Sequence, residues 1–394
     1  MSFLKYFVLN ILIFSTLPQA QAVVLDWSGY YQVELNTLQN GDFENWGSGE
    51  IYHNLFLNPE VKVFDEVQIK SQFYFSSSSD NQKPYLLGAN AFRSQEGLFW
   101  DNTALPVVAV RDLYLEISHD FGILRLGRKP HHFGLGMYYN ASHKPFNSFY
   151  NVETSKGSIS WRGFIGSSYY VQPMIYYYNE TAFSMMIQAG LHNNDNYGVD
   201  ALYKTTPIKI TDDDQTNSTE SYFGFYGFYL MDSLDFHLEA GGNSKGVYGG
   251  FFKAHWKTPI KWLKIKLNLA GSSSNENTSF YFDPSFSSNL AFFVEQYSLH
   301  LQDKEDKKED MYSFNSGFYI SPSASFSITD VLSIKSIFSV ILSYDNGEPL
   351  FYNASLMLKY KIKEGLVWKT SIGTIFPNND NWHIGLRSQA AITF

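Results

Sequence analysis

Apolar and polar residues alternate with a period of two along most of this chain, and that alternation limits the folds open to it. Residues 382–394 read Trp-His-Ile-Gly-Leu-Arg-Ser-Gln-Ala-Ala-Ile-Thr-Phe, with even positions mostly apolar and odd positions polar or small. In 261–270, Leu263, Ile265, Leu267 and Leu269 alternate with Lys264, Lys266 and Asn268. Tyr352, Ala354, Leu356, Leu358, Tyr360 and Ile362 alternate with Asn353, Ser355, Lys359 and Lys361, and Tyr248, Phe252, Ala254 and Trp256 with Lys253 and His255. A strand sends successive side chains to opposite faces, so each run has one apolar and one polar face. A soluble sandwich alternates too. Here the runs are about ten residues long and recur throughout, and a tilted strand needs roughly 9–11 residues to cross a bilayer. Only a closed barrel places a sheet in lipid without an unpaired edge. The expected fold is therefore all-β, a transmembrane antiparallel up-and-down β-barrel.

Turn lengths give a second, independent signal. Tight connections are expected at Asp65-Glu66, near His119-Asp120, near Gly166-Ser167, at Met231-Asp232, around Lys257-Thr258-Pro259, at Thr329-Asp330 and at Lys363-Glu364-Gly365. Longer polar stretches lie between them, notably 77–106, 129–156, 206–220 and 272–310. Short turns at one end and long loops at the other describe an outer-membrane barrel with its turns in the periplasm. Placing strands between these marks predicts about 18 crossings, with 16 as the alternative. Tyr176-Tyr177-Tyr178 and the aromatic run 222–229 sit near strand ends, where rings prefer the headgroup level.

The N-terminus reads as an export signal. Lys5 supplies a positive start, an apolar stretch runs over 6–17, and Pro18 precedes the small-residue pattern Ala20-Gln21-Ala22. That order predicts a cleaved signal peptide over 1–22 and a barrel over 23–394. Beyond this segment no apolar run reaches the ~18 residues of a membrane-spanning helix. The chain has no cysteine, which removes disulfide frameworks, thiolate metal sites and thiol catalysis. Aromatics at 18% exclude a disordered chain. A net charge of -9 argues against a nucleic-acid partner, because phosphate binding needs a basic surface.

The functional expectation rests on the polar face. Lys253, His255, Lys264, Lys266, Asn268, Lys335, Lys359, Lys361, Arg387 and Gln389 all alternate with apolar neighbours. On the lipid side a charge costs about 2–4 kcal/mol near the midplane, so these residues are expected inside. Arg111-Asp112-Leu113-Tyr114-Leu115-Glu116-Ile117, a tight turn, and Gly122-Ile123-Leu124-Arg125-Leu126-Gly127-Arg128-Lys129 form a hairpin. With the leucines outward, Asp112, Tyr114, Glu116 and Arg125 turn inward and set opposite charges on adjacent strands. This hairpin resembles a stretch of bacterial outer-membrane porins of the alginate-export-type and related large-porin superfamily, where an acidic-aromatic strand precedes an L-R-x-G-R segment. The likeness covers about twenty residues and departs afterwards, at His131-His132-Phe133-Gly134-Leu135-Gly136. It implies a large porin-like barrel. A terminal Phe394 likewise resembles the assembly signal of such barrels, with the barrel-assembly machinery as the implied partner.

A lumen with this many charges must be hydrated, since burying them dry costs several kcal/mol per ion. The expected function is a porin-like channel for passive diffusion of small hydrophilic solutes, anions or sugars among them, with outer-membrane lipid around it. Basic side chains bias a pore toward anions, whereas the acidic loops at 211–214 and 303–310 oppose them. The connection 129–156 is the candidate constriction loop, with His131, His132, His143 and Lys144 and glycine-rich backbone at Gly134 and Gly136. Adjacent His131 and His132 point opposite ways when extended, and Asp212-Asp213-Asp214 lacks the spacing of a calcium loop, so neither reads as a metal site. No G-x-S-x-G, P-loop, H-E-x-x-H or dinucleotide fingerprint is present. No catalytic residue and no cofactor are therefore expected. The alternatives are a barrel enzyme acting on lipids and a surface adhesin or scaffold barrel.

Overall fold

A computed structural model describes residues 24–40, 50–78, 107–129, 131–136, 157–179, 182–193, 196–205, 208–209, 221–275, 278–279, 317–343, 349–377 and 382–394. Eighteen long strands follow one another. They are β1 (Val24–Asn40), β2 (Glu50–Lys62), β3 (Val67–Ser78), β4 (Val107–His119), β5 (Gly122–Arg128) and β6 (Gly157–Ile165). Next come β7 (Tyr169–Asn179), β8 (Ala182–Asn193), β9 (Tyr197–Thr205), β10 (Ser221–Leu230), β11 (Leu234–Asn243) and β12 (Tyr248–Lys257). The last six are β13 (Leu263–Ser272), β14 (Gly317–Ser327), β15 (Leu332–Ser343), β16 (Pro349–Lys363), β17 (Leu366–Pro377) and β18 (His383–Thr393). Ile208–Lys209 extends β9 along β8, and Ser274–Asn275 pairs with Thr278–Ser279 in a separate two-stranded ribbon. Each long strand pairs antiparallel with the next, and β18 pairs back onto β1 from Tyr30↔Thr393 to Asn40↔His383. The sheet closes on itself and has no edge. The strand number is eighteen, not sixteen.

The seam is tight. Gly29 N–H donates to Phe394 O at 2.9 Å and Phe394 N–H donates to Gly29 O at 3.0 Å. A Cβ on Gly29 would stand 2.4 Å from Phe56 O and 2.9 Å from the Phe394 ring, so this position admits only glycine without a shift. All seven tight connections expected from sequence are present between consecutive strands. An eighth joins β8 to β9 at Asn196, whose N–H donates to Asn193 O at 3.0 Å. At the opposite end, two connections that sequence did not single out are also short. Asn179 pairs with Ala182, and Asn243 N–H donates to Val247 O at 3.1 Å. Pro59, Pro173 and Pro322 lie inside strands, and each sits where the ladder to one neighbour is interrupted. A proline cannot donate to the ladder, so pairing is lost on that side alone.

Candidate pore lining

Directly paired residues in a sheet share a face, so the register sorts the side chains. Glu116 pairs with Arg125, Arg125 with Ser160, Ser160 with Met174, Met174 with Met186 and Met186 with Lys204. Lys204 continues through Tyr222 to Asn243. On the same face of β11, Glu239 pairs with Phe251, and two residues on Lys253 pairs with Asn268. The pore-lining candidates fall on this one face: Asp112, Glu116 and Arg125 in β4–β5, and Lys253, Lys264, Lys266, Lys335, Lys359, Lys361 and Arg387 in β12–β18, with Tyr114, His255, Asn268 and Gln389 beside them. The opposite face carries Leu113, Ile159, Leu356 and Ile372, each 44–50% exposed. Side chains on the polar face converge, so Asp112, Glu116 and Arg387 are 9% exposed or less. Convergence of side chains identifies the polar face as the inside of the cylinder, and solvent-facing leucines and isoleucines make the outside.

Charge is divided unevenly around this interior. Strands β12–β18 contain no Asp or Glu at all. Their interior face carries the seven cations above together with Lys257 and Lys369. One cross-strand row runs Lys257, Lys264, Ser325, Lys335, Met357, Ser371, Arg387. It starts at the last residue of β12, beside a short turn, and ends in the middle of β18, so the cations climb the wall like a stair. Lys257 faces Lys264 and Lys359 faces Lys369 directly. Like charges placed opposite each other destabilise a sheet unless water or counter-ions screen them. Ser321, Ser323, Ser339, Asn353, Ser355 and Ser371 fill the same wall with buried polar groups.

The carboxylates lie on the other strands, and four of them gather in three polar groups. In the first, Glu116 accepts from Lys70 Nζ at 2.9 Å and from Arg125 Nε at 2.6 Å, and Lys70 also lies 4.0 Å from Glu60. Lys129, at the exit of β5, stands over the Tyr114 ring with its Nζ 5.4 Å from the centroid. In the second, Asp200 accepts from Tyr170 OH at 2.5 Å and contacts His192 Nε2 at 3.0 Å, while Gln188 donates to Tyr170 OH at 2.8 Å. The guanidinium of Arg162 lies 3.8 Å over the Tyr170 ring. In the third, Asp235 meets Lys257 Nζ at 2.8 Å and His255 Nδ1 at 3.2 Å. All three groups lie toward the end of the barrel with the short turns.

The segment 131–136 leaves β5 and lies against the interior of β6–β11. Phe133 is 1% exposed and packs with Met174, Tyr176, Met186 and Leu202, with Tyr226 at the edge. His131 is buried, its ring edge-on to Tyr176 with centroids 5.1 Å apart and its Nε2 3.3 Å from Ser158 Oγ. His132 is exposed, with Nε2 2.7 Å from Gly134 O. The two histidines diverge, as their adjacency implies, and among the described residues no group of His, Asp and Glu is arranged to hold a metal. His143 and Lys144 lie outside the described residues.

Sequence reasoning did not single out Lys70, Lys257, Lys369, Asp200 or Glu239. Period two would have found most of them: Lys70 alternates with Ile69, and Asp235, His237 and Glu239 alternate with Leu234, Phe236 and Leu238. Phe133 had no such signal, because its segment has no periodicity.

No protein-family model matches this chain, and no curated protein matches it in sequence. Its fold does match solved structures. A doubly substituted form of OccD1 (OprD) superposes with a TM-score of 0.60 over 95% of this chain and 97% of its own, at 9% identity. The outer membrane protein opdK from Pseudomonas aeruginosa gives 0.59 over 94% and 98%, at 8% identity. OccAB4 from Acinetobacter baumannii gives 0.58 over 95% and 99%, again at 8% identity. The chain shares with these proteins a closed antiparallel barrel of outer-membrane porin architecture.

Proposed function

We propose that this protein is a porin-like channel of the bacterial outer membrane that lets small hydrophilic solutes diffuse passively, anions and acidic sugars among them. The observation that carries this reading is the carboxylate-free arc β12–β18, whose interior face bears a climbing row of lysines ending at Arg387. A basic wall opposite a mixed wall sets a field across a hydrated lumen, and basic rings favour anions. In this reading Asp112, Glu116 and Arg125 line the passage on one side. Lys253, Lys264, Lys266, Lys335, Lys359, Lys361 and Arg387 line it on the other. The connection 129–156, with His131, His132, His143 and Lys144, narrows it. Support for an anionic solute also comes from the neighbour opdK, which has been solved with vanillate, a small aromatic carboxylate. The likeness of the β4–β5 hairpin to alginate-export-type and related large porins fits the porin-like barrel.

The reading includes export through a cleaved signal over 1–22, lipid around the outer wall and delivery to the membrane by the barrel-assembly machinery through Phe394. It assigns no catalytic residue and no cofactor. Planar-bilayer recording of purified protein under a salt gradient tests it. Single channels with a reversal potential on the anion side are expected. Absence of conductance overturns the channel, and a clear cation preference overturns the anion assignment.

A further inference from the structure

The segment 131–136 is fastened to the wall by more than apolar contact. Leu135 N–H donates to Glu239 Oε2 at 2.6 Å, joining residues more than a hundred positions apart. Glu239 is fully buried at 0% exposure, and its neighbours on the wall are Tyr226 and Phe251. A hydrogen bond made away from water is electrostatically stronger than one in solvent, and breaking it would leave a buried polar group unpaired. Gly134 fits only as glycine. Its φ is 54°, and a Cβ there would stand 2.8 Å from Glu239 Oε2 and 2.9 Å from Tyr226 Cγ. One turn closes the segment, with Gly136 N–H donating to Phe133 O at 2.8 Å and Gly136 at φ 83°. Gly224 on β10 leaves room for the Phe133 ring, since a Cβ at 224 would lie 3.0 Å from Phe133 Cε1.

We infer that Phe133 and Glu239 are positioning residues that latch residues 131–136, where the chain leaves β5, onto the interior of β6–β11. Phe133 is the plug, Glu239 the polar clasp, and Gly134 and Gly224 the clearances that both require. The reach of the clasp matters: a residue on β11 holds a segment that follows β5, so one bond spans six strands of the wall.

The test is independent of conduction. The chain lacks cysteine, so His132→Cys carries a single nitroxide label beside the latch. Folded barrels, identified by heat-modifiable migration, are compared as parent, Phe133→Ala, Glu239→Ala, Glu239→Gln and Gly224→Val. Slow label motion is expected in the parent and in Glu239→Gln, whose amide oxygen still accepts from Leu135 N–H. Fast motion is expected in Phe133→Ala, Glu239→Ala and Gly224→Val. Single-channel conductance should rise roughly 1.5- to 2-fold in those three variants, as the open cross-section grows. Equal label mobility in the parent and the folded variants overturns the latch. Should Glu239→Ala not fold, Gly224→Val decides the matter from the other side of the plug. A parent that does not conduct defeats the channel reading, while the label still reports on the latch.

Discussion

Arg125 Nε donates to Glu116 Oε2 at 2.6 Å between directly paired residues of β4 and β5, and Lys70 closes on the other oxygen from β3. One carboxylate thereby neutralises one of two cations on β3–β5, outside the basic arc. Replacing Glu116 with Gln leaves both cations without it. The anion-to-cation permeability ratio is expected to rise roughly twofold in reversal-potential measurements, because local charge biases a pore. An unchanged ratio would take this cluster out of the ion path.

Sidedness can be tested at two consecutive residues of β16. Leu356 is 47% exposed on the outer face, and Ser355 is 9% exposed on the inner one. Leu356→Lys places a charge toward lipid at a cost of about 2–4 kcal/mol near the midplane. Ser355→Lys adds one more cation to a hydrated wall. Urea titration of barrels refolded in liposomes should show a marked loss for the first and little for the second. The reverse order would turn the barrel inside out.

Lys129 introduces a pH dependence. Burial first, and then the nearby Arg125 guanidinium with Lys70 and Arg162, together bring its pKa down to about 7 against the opposing pull of Glu116. Below that value the ammonium is charged, and above it the group is neutral. Raising the pH from 6 to 8 therefore removes one positive charge, and anion preference should fall over that interval. In Lys129→Gln the part of the step due to this group should vanish. A step of equal size in the variant would show that Lys129 is not its source.

The seam between β18 and β1 gives a folding prediction. Deleting Phe394 removes its two backbone bonds to Gly29. Gly29→Leu forces a side chain against Phe56 O and the Phe394 ring. Both changes should lower the heat-modifiable folded fraction several-fold, in keeping with a loss of about 1 kcal/mol or more. Phe394→Tyr should restore it. Full folding without residue 394 would show that closure does not depend on it.

Processing is checked by intact mass. Protein recovered from outer-membrane fractions should begin at Val23. A chain retaining residues 1–22 would remove the proposed signal.

Much of this molecule was legible in the sequence because a strand has the simplest periodicity a chain can have. Alternation over residues such as Leu263–Ser272 determines which side chains must share a face, and lipid admits only one assignment of the two faces. The seven tight turns were readable from the breaks in that pattern and narrowed the strand number to 18 or 16, which closure of the sheet then decided as eighteen. The sequence could not decide which distant residues meet. Whether Lys257 faces Lys264, or Arg387 ends a row begun on β12, depends on register and strand tilt, which arise only when the sheet closes. The clasp of Leu135 on Glu239 had no local signature at all, for it joins an aperiodic segment to a carboxylate that sequence alone marks merely as inward. Local periodicity fixed the faces, because side-chain direction is a property of neighbouring residues. Closure decided the partners, because proximity across a cylinder is a property of the whole chain.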